Sequence, residues 1–324
     1  MKTKQHIKIK KSLKTTSFPV RICVVQYRMR RITSFENFAE QCQFFIDVAA
    51  DYKSDFVLFP ELMTTQLLVI IKAKDTVEGV KKISTFTPKY VALFKRLAKE
   101  YNINIIPGSH FVKENNKIYN VSYLFRRDGS YDTQKKIHIT PSEKEWWGVS
   151  AGNNIKVIET DCGKVSIQIC YDIEFPEMGR IAASKGAKII FNPYSTDDRH
   201  GYVRVINCAK ARAIENQVYV ACAGIVGNLV HIKNMDDIRY GKSGIYTPSD
   251  FSFPRDGVAG ECEPNIETVV VADVDLEVLD RNRKNGTVLQ LRDMRNDLYD
   301  AYSNWKRSCF QAFFYLNMLL CFHC

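Results

Sequence analysis

The chain has 324 residues, of which 45% are hydrophobic and 25% are charged, and its formal net charge is +10. That length allows one large domain or two modest ones, and the composition excludes a largely disordered chain. Six lysines and no acid lie in the first fourteen residues. We expect residues 1–17 to form a solvated basic extension and not a nucleic-acid-binding segment, because no basic motif interleaved with aromatic residues follows.

Apolar patterning predicts alternating strands and helices through the rest of the chain. β-Rich apolar runs predict strands, and apolar residues at helical spacing predict helices. In chain order we predict strand 20–26, helix 35–52, strand 56–59, helix 90–101, strands 103–106, 118–125 and 164–170, helix 176–185, strand 188–191, helix 202–216, and strands 218–223, 243–246 and 268–274. Most of these strands are continuous apolar runs, which is typical of strands covered on both faces. Because no repeat or linker divides residues 18–305, we expect one α/β domain there.

The cysteines and the end of the chain bear on location. The ten cysteines are scattered, and no apolar stretch follows the first lysines as an export signal would require, so we expect reduced thiols and a cytoplasmic protein. Residues 310–324 are strongly apolar but too short and interrupted to span a bilayer. For residues 306–324 we favour a helix docked on the domain or on a partner. A membrane-surface anchor and a stretch foreign to the natural protein remain alternatives.

Three segments place chemically useful side chains at or near predicted strand ends. FVLFPEL carries Glu61, YDTQKKIHIT carries Lys136, and KVSIQICYDIEFPE carries Cys170. Strand ends in α/β proteins converge on a common cleft, so a carboxylate, an ammonium and a thiol could meet there. A carboxylate can take the thiol proton, and an ammonium can hold an oxyanion. The N–H of Tyr171, directly after the thiol, is a second candidate oxyanion donor.

Each of these residues also has an ordinary explanation when taken singly. Cys170 could be a core cysteine, Glu61 an acid at a helix start, and Lys136 one of a solvated pair with Lys135. The histidines have ordinary explanations too, and no Cys/His spacing matches a structural zinc site, so we expect no metal. Spacing and composition alone therefore do not decide whether the trio is catalytic.

The three segments, in this order, resemble those of the nitrilase, or carbon–nitrogen hydrolase, superfamily from about Val20 to about Trp305. The resemblance implies a single-domain, four-layer α-β-β-α sandwich and a homodimer or higher homo-oligomer. It places the family's catalytic Glu–Lys–Cys triad on Glu61, Lys136 and Cys170. It also implies hydrolysis of a small amide through a thioester, with no metal or organic cofactor.

The family carries a second glutamate, seven residues before the glycine of a Pro-Gly pair. The matching glycine here is Gly152, which follows Ala151 instead of proline. Counting back seven residues gives Glu145, and Glu143 is the competing candidate. We expect Glu145 to orient the substrate or Lys136.

The loops after Lys136 and after strand 188–191 are expected to form the pocket. We expect five residues to bind the oxyanion or the substrate: Tyr171, Trp146, Tyr194, Ser195 and Thr196. The other expected wall residues are Trp147, Asp197, Asp198, Arg199 and Tyr202. Aromatic side chains at these positions could equally be core or dimer residues.

The sequence gives weaker indications of the substrate. Members of the superfamily that take carboxylate-bearing substrates often have an arginine shortly after the cysteine, where this chain has Asp172, Ile173 and Glu174. Acids there would suit an amine-bearing substrate. The segments GKSGIYTPSDFSFPRDG and NGTVLQLRDMRNDLY resemble a branch that some bacteria fuse to an N-acetyltransferase domain.

Three functional hypotheses follow. The first is a hydrolase of a small linear amide or N-carbamoyl amine, which the complete triad favours. The second is a glutamine-hydrolysing domain that supplies ammonia to a partner, and the third is a non-catalytic scaffold. Tyr171 after the cysteine favours an amidase over a nitrilase, which typically has tryptophan there.

Overall fold

The structure, a computed structural model, describes residues 19–229 and 239–299 of the chain. The strands within these ranges are β1 Val20–Arg28, β2 Phe56–Leu58, β3 Asn104–Ile106, β4 Ser109–Glu114, β5 Lys117–Phe125, β6 Tyr131–Lys135, β7 Ile158–Thr160, β8 Gly163–Ile167, β9 Ile189–Tyr194, β10 Tyr219–Val226, β11 Gly244–Tyr246, β12 Val258–Glu261 and β13 Thr268–Val274. The α-helices are α1 Phe35–Asp51, α2 Thr76–Ile83, α3 Thr87–Glu100, α4 Pro141–Glu145, α5 Pro176–Ser184, α6 Arg199–Glu215 and α7 Leu276–Asn285. The predicted extension 1–17 and tail 306–324 lie outside the described residues.

The strands form two sheets that join at one point. The first has the order β4-β5-β3-β2-β1-β13, with β6 also paired to β5. The second has the order β7-β8-β9-β10-β11-β12. The end of β1 pairs in parallel with β10 at Tyr27–Ile225 and Arg28–Val226, and this short ladder links the two sheets.

Alternate side chains of β1 show how the layers stack. Ile22 belongs to the core between the two sheets, whereas the next residue, Cys23, packs with α1 and α3 on the outer face of the first sheet. The inner faces of the sheets touch, since the rings of Phe56 on β2 and Phe191 on β9 have centroids 5.1 Å apart. Helices α5 and α6 pack on the second sheet. The expected α-β-β-α order is confirmed, and it covers the central strands on both faces.

Every predicted strand and helix corresponds to an observed element, with boundaries that differ by up to three residues, and one of these differences lies at the candidate nucleophile. The strand predicted at 164–170 ends at Ile167, and Cys170 opens a 3-10 turn that extends to Glu174. Apolar periodicity did not indicate seven elements: strands β4, β6, β7 and β12 and helices α2, α4 and α7. Strands β6, β7 and β12 lie at edges in the described part of the chain, where apolar faces on both sides are not required. Across 19–229 and 239–299, no helix is long and apolar enough to cross a membrane.

Candidate active site

Three strands deliver Glu61, Lys136 and Cys170 to one place. Glu61 follows β2, Lys136 directly follows β6, and Cys170 comes shortly after β8. Nζ of Lys136 donates a 2.8 Å hydrogen bond to Oε1 of Glu61, and the Glu61 carboxylate lies within hydrogen-bonding reach of the Cys170 thiol. The exposed fractions are 2% for Glu61 and Lys136 and 7% for Cys170. The structure thus brings the predicted trio together in a site shielded from water.

Cys170 stands on a strained turn. Its φ is +46°, in the left-handed region that costs a non-glycine residue about 1–2 kcal/mol. The Nδ2 of Asn192 donates 2.7 Å and 3.4 Å hydrogen bonds to the carbonyls of Gln168 and Cys170, which ties the turn to β9. The thiol donates at 3.7 Å to the carbonyl of Ser195. Such turns are known from other hydrolases, where they present a nucleophile above the sheet.

Two close backbone approaches support the other two members of the trio. A Cβ on Gly108, whose φ is +64°, would lie 1.8 Å from the carbonyl oxygen of Pro60, next to Glu61. A Cβ on Gly152 would lie 2.7 Å from the Cβ atom of Lys135. The Gly152 N–H also donates a 2.7 Å hydrogen bond to the carbonyl of Lys136. Both positions therefore require glycine.

The second glutamate of the site is Glu143 and not the expected Glu145. Nζ of Lys136 donates to Oε2 of Glu143 at 2.7 Å, and the Glu143 side chain is buried. Glu145 is exposed and lies at the wall of the pocket.

Local capping explains why Glu143 points inward. Thr140 caps helix α4, accepting from the Glu143 N–H at 3.3 Å, and its own N–H donates back to the Glu143 carboxylate at 3.1 Å. This reciprocal arrangement is a capping box, and its signature T-x-x-E is visible in the sequence as TPSE. That signal would have selected Glu143.

Two further groups hold the carboxylates in place: Asn120, which the motifs did not indicate, and the backbone of Ser195, a residue that we expected to contact the substrate. The Nδ2 of Asn120, on β5, donates to Glu61 at 2.9 Å and to Glu143 at 3.0 Å. The backbone N–H of Ser195 donates at 3.1 Å to the other oxygen of Glu61. The available signal was a polar residue in the middle of the apolar strand KIYNVSYLF.

The two carboxylates have pKa values shifted in opposite directions. Burial raises the pKa of Glu61 even though the Lys136 ammonium opposes it. Burial also acts to raise the pKa of Glu143, but the charge and hydrogen bond of Lys136 outweigh it and the pKa lies below the usual value. Burial and the nearby Glu61 raise the pKa of the Cys170 thiol. A neutral resting thiol therefore faces a carboxylate suited to accept its proton, while Glu143 keeps its charge beside Lys136.

Asp172 ties the cysteine turn to the segment after Lys136. Its buried carboxylate accepts from the N–H of His138 at 2.8 Å and from that of Ile169 at 3.3 Å. The Nδ1 of His138 lies 2.9 Å from the same carboxylate, and the imidazole stacks on Phe175 with centroids 3.6 Å apart. Asp172 thus supports the scaffold and does not line the pocket, and His138 packs and hydrogen-bonds within that scaffold.

The site opens into a pocket of about 810 Å³. Of the residues expected to contact substrate, four line it: Tyr171, Trp146, Ser195 and Thr196. Tyr194 was placed wrongly, because it is fully buried in the core between the layers and its hydroxyl accepts from the Lys242 N–H at 3.0 Å. Odd and even residues of a strand face opposite sides, so Tyr194 and Ser195 diverge at the end of β9.

No cluster of three His, Cys, Asp or Glu side chains suited to a metal ion occurs in residues 19–229 and 239–299. His110 is fully buried between the hydroxyls of Thr64 and Thr87, and burial lowers its pKa to about 3. His110 is therefore a neutral core residue.

Known proteins similar to this chain match it over most of its length. The family model for carbon-nitrogen hydrolases matches residues 21–284. A probable hydrolase of Bacillus subtilis is 58% identical over 284 residues, which are 88% of this chain and 55% of that protein, so the chain spans about half the length of this relative. An omega-amidase of Xenopus tropicalis is 29% identical over 289 residues, covering 87% of this chain and 97% of that protein.

The fold also matches solved structures. A carbon-nitrogen hydrolase from Helicobacter pylori superimposes with a TM-score of 0.73 at 22% identity, over 87% of this chain and 97% of the other.

Proposed function

The chain belongs to the carbon–nitrogen hydrolase family, and on that premise we propose that it is a cysteine hydrolase of a small linear amide or N-carbamoyl amine. The observation that carries the proposal is the contact of three groups. A thiol on a strained turn, at Cys170, faces the buried carboxylate of Glu61, which is itself bonded to Lys136 at 2.8 Å. These are a nucleophile, a base and an oxyanion donor within one pocket.

The proposed reaction has two steps. Glu61 takes the thiol proton as Cys170 attacks the carbonyl carbon, and the oxyanion binds to Nζ of Lys136 and the N–H of Tyr171. Glu61 then gives the proton to the leaving nitrogen, the C–N bond breaks, and a thioester remains. A water, deprotonated by Glu61, attacks the thioester, and the cysteine leaves with the proton that Glu61 returns. General acid–base help of this kind contributes about 10²–10⁴-fold.

The charge of the pocket favours a substrate with an amine group. Among the described residues, six carboxylates and three cationic side chains line the pocket. This local excess of negative charge contrasts with the net charge of +10 for the whole chain. Glu174, one of the six, occupies a position after the cysteine where members taking carboxylate-bearing substrates often carry an arginine. An ammonium group on the substrate would be attracted to this wall, and a carboxylate would be repelled.

An anionic amide is the second candidate substrate. One relative is named an omega-amidase, and Arg204 and Arg239 also line the pocket. Both arginines have partners: Arg204 lies 3.6 Å from Glu174, and Arg239 donates to the Ser195 hydroxyl. Since Arg204 is partly neutralised by Glu174, we rank this candidate below the amine-bearing one.

We propose a cytoplasmic homodimer as the working form. Val203 and Ile214 on helix α6 are 41% and 40% exposed, which gives that helix apolar side chains available for contact with a second copy. Light scattering of the purified chain tests the oligomeric state, and a monomer at all concentrations would contradict it.

The function is tested by ammonia release from a panel of small amides, N-carbamoyl amines, N-carbamoyl amino acids and glutamine. Wild type is compared with Cys170→Ala and with Cys208→Ala, a control cysteine on α6 outside the pocket. Release that only Cys170→Ala abolishes would support the hydrolase, and the best substrate would separate the amine-bearing, anionic and glutamine alternatives. No release from any compound, together with a Cys170 that resists alkylation, would support the scaffold alternative.

A further inference from the structure

The uncharged side chain of Asn120 donates hydrogen bonds to two carboxylates of the site. Asn120 is fully buried, and its Nδ2 donates to Oε1 of Glu61 at 2.9 Å and to Oε1 of Glu143 at 3.0 Å. Its main-chain carbonyl accepts from the N–H of Lys136 at 2.8 Å. Asn120 therefore contacts all three charged members of the network, with its side chain or its backbone.

We propose that Asn120 is a positioning residue that fixes the separation and orientation of the Glu61 and Glu143 carboxylates around Lys136. The inference rests on the proposed hydrolase function of this site. It assigns Asn120 no contact with substrate, and it predicts that the residue acts through Glu61.

The need for such a residue follows from the charges. A single ammonium serves two buried carboxylates, at 2.8 Å for Glu61 and 2.7 Å for Glu143, and the two anions repel each other. The Asn120 amide lies between them and offers each a donor. Oε1 of Glu61 then accepts from both Lys136 and Asn120, while Oε2 accepts from the Ser195 N–H. Three donors thus leave the carboxylate of Glu61 little freedom to rotate away from the thiol.

The orientation of the amide is determined by its surroundings. Reversing it would set the Oδ1 of Asn120 against two carboxylate oxygens, acceptor against acceptor. In the orientation observed, this Oδ1 is buried and has no partner among the residues that the structure describes. The two donor bonds therefore fix which way the amide of Asn120 faces.

Asn104 provides a matched control. It is also fully buried in the first sheet, its Nδ2 donates to a carboxylate, that of Asp161, at 2.8 Å, and its Oδ1 likewise lacks a partner within residues 19–229 and 239–299. It differs in its distance from the chemistry, since neither Asn104 nor Asp161 lines the pocket. A purely structural role for a buried asparagine should show equally at both positions.

The test is the pH dependence of Cys170 alkylation by iodoacetamide, followed by mass spectrometry of the peptide that contains Cys170. It needs no substrate. In Asn120→Ala the ionised form of Glu61 loses a donor, so the midpoint of the acid limb should move to higher pH by about one unit or more. Asn120→Thr, whose hydroxyl can serve only one carboxylate, should show a smaller shift. Asn104→Ala should keep the wild-type midpoint. Thermal unfolding shows whether each variant is folded. If Asn120→Ala does not fold, Asn120→Thr replaces it in the test.

Other results would overturn the inference. A wild-type midpoint in Asn120→Ala and Asn120→Thr, whatever their melting temperatures, would show that the residue is only structural. An equal shift of the alkylation midpoint in Asn104→Ala would also overturn the inference, because it would show that the effect comes from general loosening of the sheet. If Cys170 of the wild type resists alkylation at every pH, the proposed function itself fails and the role of Asn120 falls with it.

Discussion

The carboxylate of Glu143 lies 2.7 Å from the ammonium of Lys136, and both side chains are shielded from solvent. Two residues further along the same short helix, Glu145 is exposed to solvent. The pair therefore offers a direct test of which glutamate belongs to the chemistry.

Glu143→Gln should lower kcat/KM by about 10²–10³-fold. The neutral amide cannot balance the charge of Lys136, and the mechanism needs Lys136 charged to stabilise the oxyanion. Glu145→Gln, the matched variant on the same helix, should change kcat/KM by less than about tenfold, because exposed Glu145 contributes only a solvent-screened charge to the wall of the pocket. Steady-state kinetics with the best substrate of the panel checks both. Equal losses in the two variants would contradict the assignment of Glu143.

Activity should decline with falling pH at values above those of an ordinary glutamate. Glu61 must be ionised to accept the thiol proton, and burial raises its pKa above the usual 4.5. Activity is thus present above the raised pKa and is lost as the pH falls through it. A kcat/KM profile for the wild type, with fluorescence to confirm that the protein stays folded, measures this limb. A flat profile down to pH 4.5 would refute Glu61 as the base.

Removing the buried cation should cost more stability than removing its exposed neighbour. Lys136→Met leaves two buried carboxylates without a counter-charge, so the free energy of unfolding should fall by about 3–5 kcal/mol at neutral pH. Adding Glu143→Gln to the same chain should recover part of that loss. Lys135→Met, which removes a surface pair with Glu114 and a cation–π contact 4.0 Å above the Tyr119 ring, should cost no more than about 1–2 kcal/mol.

Urea denaturation of these variants supplies the measurement. Similar losses for Lys136→Met and Lys135→Met would mean that the charges of the site are solvated, in conflict with the burial observed. If the double variant were no more stable than Lys136→Met, the Glu143 carboxylate would not depend on the Lys136 ammonium as its counter-charge.

Glu174 should control the choice between cationic and anionic substrates. Its side chain lines the pocket, and burial raises the pKa of its carboxyl group. Glu174→Arg should increase kcat/KM for carboxylate-bearing amides relative to amine-bearing ones by about 10–100-fold, since the charge at the wall changes by two units. Glu174→Gln should lie between the two. An unchanged preference in both variants would remove Glu174 from the substrate contacts.

The sequence alone could identify most of the strands, four of the helices and the candidate residues of the trio. Continuous apolar runs such as FVLF mark strands buried on both faces, and strand ends are where α/β proteins gather their reactive groups. Glu61, Lys136 and Cys170 stand at or near such ends, and the structure brings them together. These features are local, so a pattern of a few residues contains them.

The tertiary structure decided which glutamate faces Lys136, that Asn120 joins the two carboxylates, and that Tyr194 lies in the core. Counting from Gly152 selected Glu145, yet the inward direction of Glu143 depends on where helix α4 is capped and how it packs. Asn120 and Glu61 are 59 residues apart in sequence, so no local pattern relates them. A side chain's partner across such a distance is fixed by the packing of the sheets, which only the folded chain contains.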